Sequence, residues 1–344
     1  RSIRWYGRTR QPGDGTVSID WAGTTIEFFV KGTTFLSAVI DETTENLYRI
    51  FVNDVLQDRI ETDKNLFTFP IATDLNPKTK YKITIFKDSE SRPASSAKSK
   101  NWATWHGFVT DEGVGPSLVA SKTRKIEFIG DSMTWGHGTL VGAPEPDGVP
   151  EEQCSSTGGS WLAGSNWYGY SGMICQEFGG DCRIIARGGG GLLYNSDKST
   201  YPETLPHLFY RTLASDSDTD YDHSSWLPNV MVINLGQNDY NNAVSGFDED
   251  FSNRMVAFHD EIRDLYKKSN PQIYFLCSTM WAGDKHCPLM ESIVERIGNS
   301  KTYFINTNLP NNVELEGCKA HPGAAQMRMI ADLVLPQMVC NTGW

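Results

Sequence analysis

The residues best suited to chemistry lie in the run Gly130-Asp131-Ser132-Met133-Thr134-Trp135-Gly136, which follows the apolar stretch Ile126-Glu127-Phe128-Ile129. A serine where a buried strand gives way to small and polar residues is held above a sheet edge, placed as a nucleophile. Serine is a weak nucleophile at its own pKa, so it needs a base and donors for a developing oxyanion. Candidates for both stand elsewhere in the chain. His321 lies in Ala320-His321-Pro322-Gly323, and Asn238 lies in Gly236-Gln237-Asn238-Asp239 after the apolar stretch Asn229 to Leu235. Between the serine and the asparagine comes Arg187-Gly188-Gly189-Gly190-Gly191, after the apolar stretch Cys182 to Ala186. Each fragment alone is a weak signal. As an ordered set they are far more specific, because open α/β sheets bind ligands outside the carboxyl ends of their strands. The elbow Gly-x-Ser-x-Gly is absent around Ser132, which argues against an ordinary α/β-hydrolase.

The series Gly-Asp-Ser, Gly, Gly-x-Asn-Asp and His-Pro-Gly resembles the SGNH hydrolase superfamily over the C-terminal two-thirds of the chain. The resemblance implies Ser132 as nucleophile and His321 as base. It implies an oxyanion hole made by the Ser132 amide, the Asn238 side chain and one glycine of the cluster, Gly189 before Gly188 or Gly190. The superfamily commonly carries an aspartate three residues before the histidine, and here that position is Cys318. A thiol cannot serve an imidazolium as a carboxylate does, so another acceptor must orient the ring or the site is a Ser-His dyad. Glu316, Asp284 and a backbone carbonyl are the candidates. A β-rich N-terminal third narrows the resemblance to carbohydrate esterase family two, in which a β-sandwich precedes an SGNH domain. Some of that family are known to dispense with the acidic residue.

The elements that must position these residues divide the chain. From Gly15 to about Thr110 the pattern is short and alternating, as in Val17, Ile19, Trp21, then Ile26, Phe28, Val30, then Leu47 to Val52, then Tyr81, Ile83, Ile85. Turn signals separate these runs, so an all-β jelly-roll or sandwich is expected over residues 1–112. Gly113 to Thr123 reads as a linker. From residue 124 to 344 apolar strands at 125–130, 182–186, 230–235, 273–277 and 303–306 alternate with helical stretches near 166–178, 250–267, 289–297 and 324–336. That rhythm predicts a flavodoxin-like parallel sheet with helices on its faces. Phe251, Met255, Phe258, Ile262 and Leu265 recur at helical spacing and are expected to pack against it.

At 344 residues the chain is long enough for two domains. Its net charge of −11 argues against nucleic acid or an anionic membrane as partner. The chain begins at Arg1 without an initiator methionine, which reads as a processed or engineered N-terminus from which any signal peptide is already gone, and seven cysteines fit a secreted protein better than a cytosolic one. Cys287 and Cys318 are the expected disulfide; Cys277 and Cys175 read as buried thiols, and an odd count leaves at least one cysteine unpaired. No Cys-x-x-Cys or clustered histidine marks a metal site, and ester hydrolysis by a serine needs no cofactor. Asp216 to Asp222 lacks the glycine and final glutamate of a calcium loop and reads as solvated. His137, His207, His223 and His259 read as surface or packed residues. Trp135, Tyr240 and Trp281 follow strand ends and are expected to line the cleft, where flat rings stack on a sugar.

These readings combine into an expected secreted serine esterase that removes acetyl groups from carbohydrate. Preference for xylan or mannan and for a primary 6-position acetyl is what the family resemblance implies. An SGNH lipase or thioesterase would keep the same catalytic set and differ in its pocket. A carbohydrate-binding protein with an inactive esterase domain is the other rival, supported only by the missing aspartate. Oligomeric state is not legible.

Overall fold

The structure is a computed structural model that describes residues 2–91, 101–144, 146–155, 162–196, 203–241, 243, 245–277, 280, 283–310, 313–314 and 316–344. The chain divides into two units, Arg1–Thr123 with Arg211–Asp220, and Arg124–Tyr210 with Tyr221–Trp344.

The first unit is built on two antiparallel sheets. Strands β1 (Arg4–Tyr6), β4 (Thr25–Lys31), β9 (Lys80–Lys87), β6 (Leu47–Val52) and β7 (Val55–Glu61) form one, in that spatial order. The other runs β2 (Thr9–Arg10), β3 (Val17–Ile19), β10 (Ala103–Val109), β5 (Leu36–Glu42) and β8 (Asn65–Ala72). Alternation in the sequence turns Ile26, Phe28 and Val30 of one sheet and Leu36, Ala38 and Ile40 of the other into a single apolar core around the buried Trp105. The segment expected as a linker is laid onto this unit: Phe29 and Ser117 exchange backbone hydrogen bonds of 2.8 and 2.7 Å. In the aspartate-rich run expected to be solvated, Ser217, Asp218, Asp220 and Asp222 are exposed and Asp216, Thr219 and Tyr221 half-buried; it is the residues leading into it that are tied down. Trp21 Nε1 donates to the Thr212 carbonyl at 3.0 Å, the Ser215 amide donates to the buried Asp20 at 2.9 Å, and Arg10 pairs with Asp216 at 3.0 Å.

The second unit holds a five-stranded parallel sheet in the order β12 (Asp181–Ala186), β11 (Lys125–Gly130), β13 (Val230–Asn234), β14 (Gln272–Leu276) and β15 (Thr302–Ile305). Strands covered on both faces read as continuous apolar runs, and β13 is buried throughout. Helices Tyr170–Phe178, Phe247–Leu265, Gly283–Ile297 and Ala324–Thr342 belong to this unit, with Phe251, Met255, Phe258 and Ile262 of the second fully buried. The last helix runs past Pro336, where it was expected to end. Proline removes one hydrogen bond from a helix interior, and the helix continues to a left-handed Gly343 cap. Chain order 2-1-3-4-5 in this sheet puts its switch point at β11: one neighbour comes next in sequence, and the other comes after the chain has crossed back. Ligand sites in such sheets lie in the crevice at that point, outside the strands' carboxyl ends.

Candidate active site

Three of the four sequence motifs leave strands that meet at this point: Ser132 follows β11, the glycine cluster follows β12, and Asn238 follows β13. Gly130 makes the turn possible, since a side chain there would strike Thr134 and come within 2.8 Å of the Asn234 carbonyl. Asp131 caps the short helix Ser132–Trp135 by accepting from the Met133 amide at 3.0 Å. The fourth motif arrives from the far end of the sequence. Ser132 Oγ and His321 Nε2 are 2.8 Å apart, and both residues are buried.

The ring of His321 is oriented by the backbone. Its Nδ1 lies 2.9 Å from the Cys318 carbonyl and 3.1 Å from the Lys319 carbonyl, so that nitrogen carries the proton and Nε2 is free to accept from the serine. Of the three acceptors the sequence offered, Glu316, Asp284 and a backbone carbonyl, the last fills the role. The loop that does this is strained: Lys319 and Ala320 both adopt positive φ, at 54° and 56°, a conformation that costs a non-glycine residue about 1–2 kcal/mol. Two contacts hold it. Cys318 is disulfide-bonded to Cys154 across 164 residues, and Gly138, at φ 72°, lies so close that any side chain there would run into the Cys318 backbone.

The expected Cys287–Cys318 pairing is therefore wrong. Cys287 bridges Cys277, and Cys175 bridges Cys182, so neither Cys277 nor Cys175 is a buried thiol. The thiol left over is the exposed Cys340.

Burial tunes the site. It pushes the His321 imidazole down to about 4, against the two carbonyls that favour its proton. Burial and the neighbouring Asp239 push the Asp131 carboxyl up to about 7. Asn238 Nδ2 donates to the Gly190 carbonyl at 2.9 Å and to Asp131 Oδ2 at 3.3 Å, joining the three strand ends. Asp239, which sequence reasoning left without a role, accepts from the amides of Leu192, Leu193 and Tyr194 at 3.0, 2.6 and 2.9 Å. Its carboxylate thus ties the loop after the glycine cluster to the end of β13. Three adjacent amides on one buried carboxylate leave no trace in sequence beyond the Asn-Asp pair itself. Gly189 sits in that cluster with φ 74° and accepts from the Ser196 amide at 2.8 Å.

The aromatic expectations fare unevenly. Trp135 is fully buried and packs rather than lines a cleft. Its neighbour explains why: the helix is a single turn, and its C-terminal residue faces inward, beneath His137. Tyr240 is half-buried and lines a cleft of about 750 Å³ with Phe247, Asp248, Asp284 and Lys285, a cleft whose lining includes none of Ser132, Gly189, Asn238 and His321. Trp281 lies outside the described residues. His207 is exposed and hydrogen-bonds Thr204, while the buried His259 and His223 bond Thr302 and Tyr266, so the three are surface or packed residues as expected. His137 differs. Its ring lies against that of His321 with centroids 4.6 Å apart. Among the described residues no group of three His, Cys, Asp or Glu side chains is arranged to hold a metal ion.

The chain resembles known proteins in sequence and fold. Residues 5–114 match the model of the carbohydrate esterase 2 N-terminal family. The chain is similar to an acetylxylan esterase / glucomannan deacetylase of Cellvibrio japonicus, 23% identical over 341 residues that span 97% of this chain and 88% of the relative. It is also similar to the cellulase/esterase CelE of Acetivibrio thermocellus, 24% identical over 94% of this chain but only 38% of that longer protein. Among solved structures, a family two carbohydrate esterase from Clostridium thermocellum in complex with cellohexaose shares the fold with a TM-score of 0.85, at 23% identity over 99% of both chains.

Proposed function

We propose that the chain is a serine-type ester hydrolase of the carbohydrate esterase two kind, a reading its relatives and fold support, and that it removes acetyl groups from polysaccharide outside the cell. The observation that carries the mechanism is the 2.8 Å contact between Ser132 Oγ and His321 Nε2. The serine hydroxyl donates to the neutral imidazole and attacks the acetyl carbonyl as His321 takes the proton; the carbonyl oxygen becomes an oxyanion. That charge is met by the Ser132 amide, a glycine amide of the Gly188–Gly191 turn, for which we keep Gly189, and Asn238 Nδ2. The longer of the two Asn238 contacts, to Asp131, is the one an oxyanion replaces. Collapse breaks the bond to the sugar oxygen, which takes the proton from His321 and leaves as a hydroxyl. Water activated by the same ring then releases acetate from the acyl-serine. The Cys318 and Lys319 carbonyls keep the working tautomer throughout, the role a carboxylate has in a triad.

A relative named for acetylxylan and glucomannan supports acetylated xylan or mannan as substrates; a primary 6-position acetyl as target is what the family resemblance implies. The interleaved order of the two antiparallel sheets supports the jelly-roll reading of the N-terminal unit. Cleavage of short acyl esters is tested by kcat/KM for acetyl and octanoyl esters of one alcohol. The acetyl ester is expected to be preferred by at least about tenfold, since each misfit methylene costs roughly 1 kcal/mol or more; preference for octanoyl would move the assignment to a lipid-acting enzyme. Asn238→Ala is expected to lower kcat by about 10²- to 10³-fold with little change in KM, the cost of one oxyanion donor. A change confined to KM would remove Asn238 from the oxyanion hole.

A further inference from the structure

We propose that His137 is a positioning residue for His321, a wall that keeps the base dry, neutral and turned toward Ser132 in a site without a triad carboxylate. This rests on the reading of His321 as the base. Four observations bear on it. His137 is fixed to the nucleophile's own turn, its amide donating to the Ser132 carbonyl at 2.9 Å. Its ring is tilted 56° to that of His321 at 4.6 Å, and its other side meets Trp135 at 5.5 Å, so it fills the space between a buried indole and the base. It is half-buried, and the ring contacts of its imidazole are with Trp135 and His321. Finally, the loop that carries it packs on the Cys318 backbone at Gly138, so wall and base move together.

A carboxylate normally orients the histidine and stabilises its cation. Here the two carbonyls do part of the first task, binding Nδ1, but they leave the ring face unsupported. The groups facing His321 are Ser132 and His137 from the nucleophile's turn, and Lys319 with the Cys318 carbonyl from its own loop. The one charge among them, Lys319, opposes a second positive charge. Removing the His137 ring would admit water to one face of the base, and a hydrated imidazole returns toward its ordinary pKa. A base is active in its neutral form, so kcat/KM falls as pH drops through the pKa of His321. With the wall in place that fall lies low, near 4; without it the fall moves upward.

The test is acetate release from a small acetylated sugar between about pH 4 and pH 8, for the wild-type protein, His137→Ala and His137→Phe, with Tm measured on each. For His137→Ala we expect kcat down about tenfold or more, KM within about twofold, and an acid limb shifted by at least one pH unit toward about 6.5. His137→Phe restores the wall without a titrating group, and should recover most of kcat and the low limb. A folded His137→Ala with the wild-type limb and kcat would overturn the proposal, as would a rise in KM alone or a Phe variant as impaired as Ala. If instead Ser132→Ala keeps its activity in the same assay, the dyad has failed, an outcome distinct from all of these.

Discussion

Ser132→Ala is expected to lower kcat for acetyl ester hydrolysis by about 10⁴- to 10⁶-fold while leaving KM and the folded state nearly unchanged. In the proposed mechanism the hydroxyl is the group that bonds to carbon, and its neighbours are committed elsewhere. Asp131 is held as a helix cap, and His321 has its Nδ1 committed to carbonyls. The change deletes one oxygen at a buried position whose side-chain hydrogen bond among the described residues is to His321, so packing is little altered. Residual rate would come from the oxyanion donors acting on bound water. Initial rates with an acetylated sugar, beside thermal melts, decide the matter: a variant within about tenfold of wild type would remove Ser132 from the chemistry.

Placing a carboxylate where the superfamily commonly has one is expected to harm this enzyme. In Cys318→Asp the bridge to Cys154 is lost, and with it a link between residues 164 apart in sequence, for which about 2–5 kcal/mol of stability is typical. The strained Lys319–Ala320 turn then relaxes, and the two carbonyls that hold Nδ1 shift with it. A displacement of ~1 Å at His321 lowers kcat about a hundredfold. Cys154→Ser breaks the same bridge without touching the loop, and should reproduce most of both losses. Melting temperature and kcat for the two variants check this; a gain in turnover in Cys318→Asp, or an unaffected Cys154→Ser, would contradict it.

Much of the hydrolase unit was legible because its physics is local. A buried parallel strand such as Val230–Asn234 must be apolar along its length, and a catalytic turn after it must be small and polar, so strand ends and motifs announce each other. Ser132, Asn238 and His321 stand together as the motifs implied. What stayed hidden depends on pairings between distant segments. Cys277 in an apolar strand has the surroundings of a core thiol whether or not Cys287 reaches it, and nothing local links Cys154 to Cys318. Nothing local marks how Thr212, Ser215 and Asp216 are held, because their partners, Trp21, Asp20 and Arg10, lie about two hundred residues earlier. His137 was taken for a surface or packed residue since no motif surrounds it; its meaning lies in a ring 184 positions away, as the numbering of the pair shows. Trp135 was misplaced for the opposite reason, a local signal outweighed by the inward turn of a four-residue helix.

The central claim is that Ser132 carries the acyl group, and it is tested most directly by labelling. The wild-type protein is treated with a fluorophosphonate, which phosphonylates an activated serine with loss of fluoride, and is then digested and mapped by mass spectrometry. We expect a single adduct on the peptide containing Gly130-Asp131-Ser132, full loss of esterase activity in step with its formation, and no labelling of Ser132→Ala or of His321→Ala on the same timescale. An adduct on any other residue, or esterase activity that survives complete modification of Ser132, would contradict the account.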